Sequence, residues 1–122
     1  MIELLDMQSD KALGMVIRGK IEKPDMERVY DDVNAKLAKL ASADKLSVYV
    51  EIDQFQGISL DALVLDIKEG LPKIGRVRKK AVVSSGKWLE VFTKIGDKLF
   101  PSIEAKHFAP EQKQEAKAWV LA

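Results

Sequence analysis

Residues 46–53, Leu-Ser-Val-Tyr-Val-Glu-Ile-Asp, alternate as a half-buried strand, break at Gln54-Phe-Gln-Gly57 and restart as a helix at Ser59. A helix that begins directly after a buried strand points its unpaired first-turn N–H groups into the crevice beyond the strand's carboxyl end. A binding or modification site is therefore expected near Gly57 to Asp61. The same unit constrains the fold, because strands that alternate with helices build a sheet with a parallel section and helical crossovers.

The remaining periodicity extends this pattern. Residues 1–7 and 13–21 read as two strands joined by the polar turn Gln8-Ser9-Asp10-Lys11, a hairpin opening the fold. Pro24 suits a first helical turn and Asp25 and Glu27 complement its positive end. Met26, Val29, Tyr30, Val33, Leu37 and Leu40 then recur at helical spacing. Leu46, Val48, Val50 and Ile52 share one strand face, and Ser59 caps a second helix with the apolar stripe Leu60, Leu63, Val64, Ile67 and Leu71, ended by Gly70 and Pro72. A fourth strand is predicted over residues 80–84, a helix over 87–100 stopped by Pro101, a last strand over 103–108, and a final helix opened by Pro110 and Glu111 with Ala116, Trp119 and Val120 facing the sheet. The expectation is an α/β fold: one domain over residues 1–122, a mixed sheet of about five strands and about four helices.

Charge and cysteine content exclude several functions. With 20 basic and 19 acidic residues the net charge is +1, so no global field draws in nucleic acid, and no nucleic-acid partner is expected. The absence of cysteine removes disulfides, thiolate metal sites and a cysteine nucleophile and suits the cytoplasm. The opening Met1-Ile-Glu-Leu-Leu-Asp6 has neither a basic n-region nor a long apolar run, which predicts a protein without a signal peptide or membrane span.

Catalysis has little support. His107 alternates with Lys106 and Phe108 without a second histidine to complete a metal or nucleophilic set. Glu51 and Asp53 share a strand face but would serve as acid and base only if drawn into the cleft together. Ser84-Ser85-Gly86 is a polar turn without the glycine pattern of a phosphate loop. No catalytic residue, metal site or cofactor is assigned.

Three features remain as binding candidates. The helix over residues 87–100 carries more apolar surface than one stripe can bury: Trp88, Val91, Ile95 and Leu99 form a continuous face, and Leu89, Phe92 and Phe100 lie on its flank. A wide core face explains this, and so does a lid over an apolar pocket, a helix lying on a membrane, or a surface for a homodimer. Lys73, Arg76, Arg78, Lys79 and Lys80 form one basic cluster, which reads either as a solvated connection or as a face for anionic lipid, at about 1 kcal/mol per residue. Ser59 is either a helix cap or a phosphorylatable hydroxyl at a helix N-terminus.

The order of elements, with Gly19-Lys20, Asp25, Asp53-Gln-Phe55-Gln-Gly57, Ser59, Ala62, Ala81-Val-Val83, Trp88, Phe108 and Ala116 to Trp119, resembles the SpoIIAA-like family. That family shares its architecture with anti-sigma-factor-antagonist (STAS) domains and is similar in shape to CRAL-TRIO lipid-binding domains. Lys23 stands where a hydroxyl cap is more typical of the family, and Gly57-Ile58-Ser59-Leu60 lacks the acid and glycine that flank the regulatory serine of phosphorylated antagonists. Beside this resemblance, the over-wide apolar helix and the basic approach to it lead to the expectation of a non-enzymatic domain binding a small apolar or lipid-like ligand between the second and third helices, with Phe55, Gly57, Ile58, Leu89, Phe92, Ile95 and Phe100 as its lining, in the cytoplasm or peripherally at an anionic membrane. Its alternative is a regulatory protein-interaction module switched at Ser59.

Overall fold

A computed structural model describes residues 1–85 and 102–122. Five strands form one mixed sheet in the order β1 (Ile2–Leu5), β2 (Ala12–Ile21), β3 (Leu46–Ile58), β4 (Val77–Val83) and β5 (Glu104–Phe108). The opening hairpin pairs β1 antiparallel with β2, and the three later pairings are parallel. Helices α1 (Lys23–Lys39) and α2 (Leu60–Gly70) lie on one face, and α3 (Lys113–Leu121) on the other. The helix expected over residues 87–100 lies outside the described residues, and with it Leu89, Phe92, Ile95 and Phe100.

Strand alternation explains the two cores. Leu13 and Met15 of β2 and Leu46 and Val50 of β3 point to the α1 side, where Met26, Val29 and Val33 meet them. Ala12, just before Leu13, and Tyr49, just before Val50, point the other way, joining Ala81, Val83 and Phe108 under Ala116 and Val120 of α3. Tyr49 is fully buried there. Its hydroxyl donates to Glu51 Oε2 at 3.0 Å, and Lys113 Nζ lies 3.0 Å from Glu51 Oε1, so a polar chain ties α3 to β3. Burial and the adjacent carboxylate raise the Tyr49 pKa above its ordinary value.

The apparent break after Asp53 is not one. The ladder with β2 continues to Ile58 through register shifts around Gly19, with Gly19 opposite Phe55 and Lys20 opposite Gly57. Gln54 (φ 52°), Gly57 (φ 112°) and Gly19 (φ 62°) take left-handed backbone angles, which bend a strand without ending it. Nothing lies within 4 Å of a Cβ built on Gly57, so the backbone angle and not space requires glycine there. The ladder stops where the Ser59 N–H donates to the Ile21 carbonyl at 2.9 Å. The fourth strand likewise begins earlier than its apolar centre suggests, at Val77, since Arg78, Lys79 and Lys80 continue the extended backbone.

The apolar stripe of α2 does not enter the core: Leu60 is 77% exposed, Leu63 39%, Val64 57%, Ile67 49% and Leu71 58%. The opposite side faces inward, led by the wholly buried Ala62. Two contacts with α1 hold this rotation. Tyr30 donates to Asp66 Oδ1 at 2.5 Å, and a Cβ on Gly70 would stand 2.6 Å from the Tyr30 hydroxyl. Glycine is therefore what lets α1 and α2 approach at that end.

Candidate functional site

The start of α2 is built as its sequence implies. Ser59 takes extended angles, and its Oγ accepts from the Ala62 N–H at 3.3 Å. The hydroxyl donates to Asp61 Oδ1 at 2.6 Å, and the same carboxylate oxygen accepts from the Ala62 N–H at 2.9 Å. The serine hydrogen bond holds the Asp61 carboxyl below its usual range, opposed by slight desolvation and helped by the Ala62 N–H and the nearby Lys23 charge. Asp61 thus occupies the position at which the helix terminus favours an anion, and a phosphate on Ser59 would meet that carboxylate. Ser59→Ala is expected to cost only about 0.5 kcal/mol, the low end of cap losses, because Asp61 retains the Ala62 N–H; urea unfolding of the two proteins measures it.

Beside this cap runs an open groove of about 630 Å³, lined by Lys23 of α1 and Leu60, Asp61, Val64, Leu65 and Lys68 of α2. Its floor is aliphatic, and two ammonium groups against one carboxylate leave it positively charged. Phe55, Gly57 and Ile58 are half-buried at the end of β3, and Phe55 and Ile58 pack against the α1-side core instead of lining the groove. Periodicity revealed the residues of this surface as a stripe but not its outward direction.

The basic cluster is divided. Lys73 bonds the Glu69 carbonyl and carboxylate, both at 2.9 Å, and lies 5.6 Å from the Tyr30 ring centre. Arg76 donates to the carbonyls of Asp44 (3.1 Å) and Ala41 (3.3 Å). Arg78 reaches to the other end of the chain, bonding Ser47 Oγ at 2.9 Å and the carbonyls of Val120 at 3.4 Å and Ala122 at 2.9 Å. Lys79 bonds the Trp119 carbonyl at 3.0 Å and sits 4.8 Å from its ring centre, while Lys80 is exposed. Four of the five cations fasten the connection and α3 in place, so they do not present one charged face.

Of the polar groups weighed for chemistry, Ser84 is buried and its Oγ lies 2.8 Å from His107 Nε2. Glu51 belongs to the Tyr49–Lys113 chain, and Asp53 is exposed, 3.6 Å from Arg18. Among the described residues no cluster of three histidine, aspartate or glutamate side chains could hold a metal, and no helix is long and apolar enough to cross a membrane.

Comparison with known proteins agrees with this architecture. No curated protein matches the chain. A crystal structure of an uncharacterised protein with a SpoIIAA-like fold from Shewanella loihica is similar, with a TM-score of 0.77 and 26% identity, over 98% of this chain and 92% of that one. The SpoIIAA-like family matches residues 12–121, a span that takes in four of the five strands and all three described helices; the chain belongs to the SpoIIAA-like family.

Proposed function

We propose that this chain is a non-enzymatic binding domain for a lipid-like amphiphile, a single molecule whose apolar part lies along α2 and whose anionic end sits between Lys23 and Lys68. The observation that carries this reading is the outward stripe of α2 with two ammonium groups at its groove. Monomeric surfaces seldom leave five large aliphatic residues contiguous on one helix without a use. Weighting each by its exposure, covering Leu60, Leu63, Val64, Ile67 and Leu71 yields roughly 4–8 kcal/mol before association costs. That gross gain caps the affinity at about micromolar before those costs are subtracted, fitting weak, reversible carriage.

The regulatory reading, a module switched by phosphorylation at Ser59, has a capping serine in its favour and the Asp61 carboxylate against it. Oleate binding followed by calorimetry tests the ligand reading. Val64→Asp, at an exposed position, is expected to weaken oleate binding at least about tenfold with the fold unchanged. Lys23→Glu with Lys68→Glu is expected to weaken oleate but not a neutral monoglyceride. No uptake by the unaltered chain, or equal uptake by Val64→Asp, refutes the proposal. Pelleting with anionic vesicles without uptake of free oleate would assign the same surface to a membrane.

A further inference from the structure

The outward face of α2 is flanked by charges in a self-complementary order. Leu60, Val64, Ile67 and Leu71 make its central seam, spaced four, three and four residues apart, the spacing with which one helix packs along another. Asp61 and Lys68 are both exposed and seven residues apart, so they share one flank, one toward each end of the seam. Leu63 lies on the other flank, where Gly70 is turned toward Tyr30 of α1. The chain's own packing uses the opposite side, through Ala62 and the Tyr30–Asp66 contact, so the seam is not needed to hold α2 on the domain.

We propose that a second copy of this chain covers this face, the two α2 helices lying antiparallel about a two-fold axis. In that arrangement like flanks meet, and Asp61 of each copy faces Lys68 of the other, forming two equivalent ion pairs. A parallel pair would set the charged flank against Leu63 and form neither ion pair, so the sequence selects the antiparallel arrangement. The contact is isologous and closes at two copies. A helix of 11 residues is about 16 Å long, which places the interface in the weak class below about 1,200 Å² and makes the dimer concentration-dependent.

The seam shares Leu60 and Val64 with the groove, and its charged flank shares Asp61 and Lys68. Dimer and amphiphile therefore compete for one surface, and this last step alone rests on the ligand reading. By mass action the dimer shields the apolar face until ligand displaces the second copy.

Sedimentation velocity on the full chain without ligand tests the proposal from low micromolar to submillimolar concentration. The mass is expected to rise from that of the 13.6 kDa monomer toward twice that value. Ile67→Asp should remain monomeric throughout, and Lys68→Asp should weaken the dimer at least about tenfold; both side chains are exposed, and circular dichroism checks that the fold persists. Combining Asp61→Lys with Lys68→Asp should restore the dimer, because the pairs are exchanged and not lost. A monomer at every concentration, a persistent dimer of Ile67→Asp, unchanged affinity of Lys68→Asp, or no rescue by a folded double variant overturns the proposal. A dimer that forms normally while oleate fails to bind would sink the ligand reading and leave the dimer standing.

Discussion

Tyr49→Ala is expected to lower the unfolding free energy by about 3–5 kcal/mol, the range for removing a large buried ring, and the melting temperature by roughly 10–20 °C. Tyr49 is the largest fully buried side chain among the described residues, and besides Met7, Val83 and Phe108 its cluster is made of small residues: Ala12, Ala81, Ala116 and Val120. They have little reach with which to close the void. The hydroxyl adds a polar component, since it shares Glu51 with Lys113. Tyr49→Phe separates the two contributions: it keeps the ring and is expected to cost about 1 kcal/mol. Urea unfolding of the three proteins measures both, and a loss below about 1.5 kcal/mol for Tyr49→Ala would show that α3 collapses onto the vacated space.

The second large effect is expected at Asp25. Its carboxylate accepts from the Glu22 N–H at 2.8 Å, the Ile2 N–H at 3.3 Å and Arg28 at 2.8 Å, joining the start of α1 to β1 while 9% exposed. Asp25→Ala leaves two backbone N–H groups and a guanidinium without this acceptor, at an expected cost of about 2–4 kcal/mol. Burial pushes the carboxyl's pKa up, but the hydrogen bonds from Glu22, Arg28 and Ile2 and the charge of the Met1 ammonium together outweigh it and hold the pKa below its ordinary value. A carboxyl depressed in the folded state contributes stability that is fully present above its unfolded pKa of about 3.9 and is lost as pH falls through the folded value. Urea unfolding between neutral pH and pH ~3 should show this acid loss, reduced in Asp25→Asn. An identical acid slope in the two proteins would assign it to other carboxylates.

The fold was legible where a single periodicity had one physical outcome. Alternation put Leu46, Val48, Val50 and Ile52 on one strand face, which the structure turns to the α1 side, and Ser59 reads as a cap from its type and position and is one. The continuation of β3 to Ile58 was hidden because Gln54 and Gly57 suit a turn as well as a bulge, and only pairing with β2 chooses between them. The basic run between Lys73 and Lys80 looked like one surface because its residues are close in sequence. Its guanidinium and ammonium groups find carbonyls as distant as Ala41, Trp119 and Ala122, acceptors that no local reading can see.

The candidate site shows the same division most clearly. That Leu60, Leu63, Val64, Ile67 and Leu71 share one face of a helix beginning at Ser59 follows from the sequence alone, since 3.6 residues per turn sets the face whatever surrounds it. Which way that face points was decided by tertiary contacts, the bond from Tyr30 to Asp66 and the close approach of Tyr30 to Gly70. A periodicity defines angles within one element, whereas orientation is a relation between elements and exists only once the chain has closed on itself.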